Sequence, residues 1–114
     1  MEFKGIIIPG EGKAGGYYHV PTANLKPEKE PDLAQGIYVA YGIIEGEKFP
    51  AVVCMGHKFE IHLLNWSGNL YNKELVVEII ELISPFVPFT SEEQMKKKIF
   101  DDLEKAKTFF HLQG

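Results

Sequence analysis

Cysteine is nearly missing from this chain. Cys54 stands alone among 114 residues, which excludes an internal disulfide and any metal site built on paired thiols. A lone cysteine of this kind is expected to be a small, buried, apolar-like residue. Long apolar runs are missing as well. No stretch approaches the roughly 18 residues of a membrane-spanning helix, and no basic-then-apolar leader opens the chain, so the expectation is a soluble, cytoplasmic protein. A basic face is the third absence. Lysine and arginine total 12 against 16 acidic residues, for a net charge of −4. That argues against a small barrel that binds single-stranded nucleic acid, which needs cations interleaved with aromatic residues. It does not argue against a nucleotide ligand, because one loop and one metal ion can hold a triphosphate. No repeat and no second domain is visible, so residues 1–114 read as one domain. Its 45% hydrophobic and 25% charged residues suit a globule that buries about two-thirds of its unfolded surface.

What is present is mostly strand pattern. Phe3 to Ile8 is β-branched and ends at Pro9-Gly10. Residues 10–16 are glycine-rich and cannot be helical. Residues 21–35 carry Pro21, Pro27 and Pro31 among charges and read as a long extended loop with little regular structure, of the kind that is usually functional. Gly36 to Ile44 and Lys48 to Met55 read as a hairpin around Glu45-Gly46-Glu47. Phe59 to Asn65 alternates, with Phe59, Ile61 and Leu63 on one face and Glu60, His62 and Leu64 on the other. Leu75 to Ile83 is a further apolar strand. The period then changes: Met95, Ile99, Leu103 and Ala106 form a helical stripe over about 91–110, with Thr90 and Ser91 as candidate N-caps. The stripe is expected to cover an open barrel mouth, giving a small, closed or nearly closed barrel with one helix against it.

Three places carry chemistry. Gly10-Glu11-Gly12-Lys13-Ala14-Gly15 matches G-x-G-x-x-G, but the Tyr-Tyr-His-Val-Pro that follows cannot start the helix a dinucleotide fold needs. It reads either as a nest of free amides and one lysine around a polyphosphate or as a plain mobile turn. In Pro21-Thr22-Ala23-Asn24, extended backbone points Thr22 and Asn24 the same way. Their two neutral oxygens suit a Mg²⁺ otherwise held by phosphate and water; alone, the tetrapeptide reads better as a hydrogen-bonded turn with no ligand. Glu60 lies mid-strand among apolar neighbours, as a general base for a hydroxyl or as a carboxylate on a solvated face. None of His19, His57, His62 and His111 has metal-site spacing.

The order of these features resembles the riboflavin kinase family. Gly10-x-Gly12-Lys13, Pro21-Thr22-Ala23-Asn24, Gly36-Ile37-Tyr38, Cys54-Met55-Gly56, Glu60-Ile61-His62, Leu70-Tyr71, Phe89-x-Ser91-x-Glu93 and Ile99-x-x-Asp102 carry the likeness, over about residues 4–107. The resemblance implies an all-β-dominated fold, a six-stranded antiparallel Greek-key β-barrel with one C-terminal α-helix packed against it. It implies transfer of the ATP γ-phosphate to the 5′-hydroxyl of riboflavin, giving FMN and ADP. Gly10, Gly12, Lys13 and Gly15 would then cover the nucleotide phosphates, with Thr22 and Asn24 as nucleotide and Mg²⁺ ligands. Glu60 would be the catalytic base. The flavin would lie by the helix and the strand end, at Ser84, Phe89 and Leu103. The expected partners are riboflavin or FMN and ATP or ADP, with no nucleic acid and no membrane, and the expected state is a monomer. The bifunctional members carry an adenylyltransferase domain ahead of this one, and FAD synthesis is not expected here.

The chain departs from the family pattern in four places. Tyr18-His19-Val20 replaces Leu-Gly before the Pro-Thr-Ala-Asn element. Only His57, Lys58 and Phe59 separate Gly56 from Glu60, about ten fewer than usual, which predicts a tight hairpin. Ser84 stands where arginine is frequent, and Phe86 replaces an acidic residue. A catalytically weak flavin- or nucleotide-binding relative is therefore the alternative function.

Overall fold

The computed structural model describes residues 1–8, 23–29, 31–56, 59–64, 73–88 and 90–111. Within them lie β1 (Glu2–Ile8), β2 (Ala23–Pro27), β3 (Gly36–Ile44), β4 (Glu47–Met55), β5 (Phe59–Leu63), β6 (Glu74–Ser84) and α1 (Glu92–Phe109). The strands close into an antiparallel barrel in the order β1-β2-β5-β4-β3-β6. Strands β3, β4 and β5 are successive hairpin neighbours, and β6 returns to lie beside β3, which is the Greek-key arrangement. The expected six strands and C-terminal helix are present.

The turn residues set the first hairpin. Ile44 pairs with Glu47 across a two-residue loop, and both loop residues take positive φ, 52° at Glu45 and 83° at Gly46. That geometry follows the right-handed strand twist, and glycine adopts it without steric cost. The second hairpin is as tight as its spacing predicts, since Met55 pairs directly with Phe59.

Period-two alternation sorts the side chains into two cores. Ile7, Leu25, Tyr38, Ala40, Ile44, Ala51, Val53, Phe59, Ile61, Leu63, Leu75 and Val77 fill the barrel interior. Ile37, Val39, Val52, Leu64 and Ala106 make a second cluster with half-buried Cys54, Ile83, Leu103 and Phe110. This second cluster lies on the outer wall, because its strand residues alternate with the interior ones. Strand β3 is buried almost throughout, since the barrel takes one of its faces and α1 the other. Strand β5 alternates buried and half-buried residues, so its outer face stays partly open.

Two expectations need correction. Residues 21–35 are not wholly irregular, because Ala23–Pro27 forms a strand paired with both β1 and β5. Its composition gives little strand signal, and its neighbours supply the hydrogen-bonding edges. The helix does not plug a barrel mouth either. A six-stranded barrel is narrow enough for its own side chains to fill it, so the apolar stripe of α1 lies instead on the outer wall of β3, β4 and β6. The helix starts as expected: Ser91 is the N-cap, and its Oγ accepts a hydrogen bond from the Gln94 backbone N–H at 3.2 Å.

Candidate active site

The site residues lie along one row of the sheet. Asn24 is the cross-strand partner of Glu60, Glu60 of Cys54, Cys54 of Ile37, and Ile37 of Ser84. Directly paired residues share a face, and Cys54 and Ile37 belong to the outer-wall cluster. Glu60 and Ser84 therefore face the same side, the side that α1 partly covers. The row runs from the strand carrying the Pro-Thr-Ala-Asn element, through the candidate base, to the strand end expected to meet the flavin.

At the far end of the row the helix supplies two groups: Lys98, which the sequence reading did not single out, and Asp102, which stands in the family motif without an assigned role. Lys98 Nζ donates to Ser84 Oγ at 2.7 Å and to Asp102 Oδ2 at 2.7 Å. Both members of this ion pair are withdrawn from water, with side chains 20% and 9% exposed. Ser84 is buried and is the point where the pair meets the sheet. A signal was available. Asp102 falls three residues after Ile99 and four before Ala106, on the apolar stripe of the helix, where a carboxylate is out of place unless it is paired or working.

Cys54 sits between the two ends. Burial pushes its thiol up to about 11, with further upward pressure from the Glu60 and Asp102 carboxylates, against which the Lys98 ammonium pulls down. The fields of all three groups thus meet at one sulfur. Cys54 is half-buried on the outer wall rather than sunk in the barrel core. Beside it the chain after β6 folds back over the end of β4. A Cβ at Gly56 would overlap the Phe86 ring, so glycine is what lets the aromatic residue seat there. Leu103 is half-buried in the outer-wall cluster.

The remaining expected site residues are not all in view. Gly10, Gly12, Lys13, Gly15, Thr22 and Phe89 lie outside the described residues, and of Asn24 only the backbone position is described. Among the described residues no group of three or more histidine, cysteine or acidic side chains converges on a metal position. Among the described residues no helix is long and apolar enough to cross a membrane.

The chain belongs to the riboflavin kinase family, whose flavokinase model matches residues 1–110. It is 32% identical to the bifunctional riboflavin kinase/FMN adenylyltransferase of Haemophilus influenzae, over 94% of this chain and 38% of that protein. It is also 32% identical to the protein of the same name from Mycoplasma pneumoniae, over 94% of this chain and 42% of that one. The chain thus spans about two-fifths of the length of these curated relatives. A solved structure, the crystal structure of a macrolide-efflux protein from Streptococcus pneumoniae, matches with a TM-score of 0.85 over 93% of this chain and 38% of that one. At 22% identity that likeness shows the fold alone.

Proposed function

We propose that this single domain is an active riboflavin kinase, transferring the γ-phosphate of Mg²⁺-ATP to the riboflavin 5′-hydroxyl to give FMN and ADP. The observation that carries the reading is the direct pairing of Asn24 with Glu60. It sets the end of the Pro-Thr-Ala-Asn element and the only carboxylate of β5 on adjacent strands, one inter-strand step of about 4.8 Å apart. Thr22 and Asn24 hold the metal-bound phosphates, and the loop with Gly10, Gly12, Lys13 and Gly15 covers them. A Mg²⁺ held by Thr22, Asn24 and the nucleotide phosphates would neutralise the charge that builds on the transferring group. Glu60 accepts the proton of the attacking hydroxyl as the O–P bond forms, and ADP leaves with the electron pair of the broken bond. ATP and riboflavin as partners imply a cytoplasmic setting.

A second reading is a binder with little turnover. Phe86 packed on Gly56 favours it, because an aromatic ring fills space beside the row. Incubation with riboflavin, ATP and Mg²⁺, followed by chromatography, separates the two. FMN accumulating in proportion to enzyme supports the kinase, whereas riboflavin binding without FMN supports the binder.

A further inference from the structure

The Lys98–Asp102–Ser84 cluster is not explained by the fold. A lysine four residues ahead of its acidic partner is the less favourable order for a helical ion pair. A largely desolvated pair contributes little net stability over apolar residues of similar size. Yet this pair stands in the seam between α1 and the sheet, next to Ala106, Leu103 and Ile83, where apolar side chains would suffice. Two of the three ammonium N–H donors are taken by Ser84 and Asp102. Among the described residues the third has no acceptor.

We infer that Lys98 is a positioning and specificity residue for the acceptor substrate, donating its remaining N–H to a carbonyl oxygen on the pyrimidine side of the flavin ring. The inference rests on the kinase reading for the identity of the acceptor. The row supplies the scale. Glu60 and Ser84 are three inter-strand steps apart through Cys54 and Ile37, about 14 Å at the usual 4.8 Å spacing. A ribityl chain with its hydroxyl at Glu60 and its ring laid towards Ser84 covers a span of that order. Leu103 and Ile83, half-buried on either side of the cluster, offer an apolar bed for the ring. Asp102 and Ser84 fix the ammonium so that little side-chain freedom is lost on binding. The chain has no arginine anywhere in its sequence, so a lysine from the helix is its means of bringing a cation to this end of the row.

The test uses two ligands, riboflavin and lumichrome, the second keeping the ring carbonyls but lacking the ribityl chain. Binding is read by fluorescence titration and turnover by FMN formation, for wild type, Lys98→Met and Lys98→Arg. The expected result is a ten- to hundredfold loss of affinity for both ligands in Lys98→Met, the range for a charge-assisted hydrogen bond. The KM for ATP stays unchanged, and Lys98→Arg recovers much of the loss. Thermal melting of both variants checks the fold, and the arginine variant carries the test if the methionine variant is unstable. Equal binding of both ligands by wild type and Lys98→Met overturns the role of Lys98 and leaves the kinase reading intact. A wild type that binds neither ligand overturns the kinase reading itself. A parallel rise in the KM values for ATP and riboflavin would mark Lys98 as merely structural and overturn the assignment.

Discussion

Cys54 links the acidic and the basic ends of the site row, and its own chemistry follows from that place. With its thiol raised from 9.0 to about 11, it stays protonated in the folded chain over a range where the unfolded chain would ionise. The folded state therefore holds more protons above pH 9, and its stabilising contribution, complete below that pH, is lost as pH rises towards about 11. The loss should not exceed about 1.4 kcal/mol per pH unit. Urea titrations of wild type and Cys54→Ala between pH 8 and 11 check it: the difference between them should shrink as pH rises, and a constant difference counts against it. Glu60 carries the prediction for chemistry. Glu60→Gln keeps the shape and removes the base, so turnover should fall by about 10²–10⁴-fold, with nucleotide affinity nearly unchanged. A variant within threefold of wild type, measured where chemistry limits the rate, would make Glu60 a structural carboxylate. Glu60 was legible in the sequence because it interrupts an apolar alternation. Asp102 was half-legible, as a carboxylate on the apolar stripe of the helix. Lys98 was not, because a lysine beside that stripe usually lies on the solvated face, and the packing of α1 on the outer wall is what shows that the pair turns inward.

At the scale of elements, α1 is held by a thin apolar seam. Of its own residues only Asp102 and Ala106 are buried, with Leu103 half-buried beside them and Phe100 61% exposed. Full burial would make Leu103→Ala cost about 2–5 kcal/mol; half-burial brings the expected cost to about 1–2 kcal/mol by the same scale. Chemical denaturation measures it, and a change below about half a kcal/mol would mean that the stripe does not pack on the barrel. The helix was readable from its period and its cap, since both are local. Its docking place was not, because the stripe says that α1 must cover apolar surface without saying which. Strand β2 was illegible for the opposite reason. In Ala23-Asn24-Leu25-Lys26-Pro27, Leu25 is the interior residue among those whose side chains are described, and the strand's conformation comes from its pairing with β1 and β5.

Across the described residues the barrel is closed unevenly, and the candidate nucleotide site falls at its most sparsely paired seam. Strands β3 and β4 pair along nine residue positions, whereas among the described residues β2 and β5 share Ala23↔Ile61 and Asn24↔Glu60. Few ladder bonds mean that local opening at this seam needs less than global unfolding. On the proposed reading, a ligand held by Thr22 and Asn24 on one side, with Glu60 adjoining on the other, would tie the seam shut. Mg²⁺-ADP at one hundred times its dissociation constant should therefore stabilise the protein by about 2.7 kcal/mol. Hydrogen exchange should slow first at the β2 and β5 amides, while the β3–β4 hairpin, already the most extensively paired, changes least. Thr22→Ala combined with Asn24→Ala should remove most of the melting shift and the added protection together. Thermal melting of the double variant without ligand checks that the barrel itself survives these changes. A melting shift retained in the double variant would place the nucleotide elsewhere. A shift retained together with protection centred on β3 and β4 would move the site to the opposite wall of the barrel, away from Glu60.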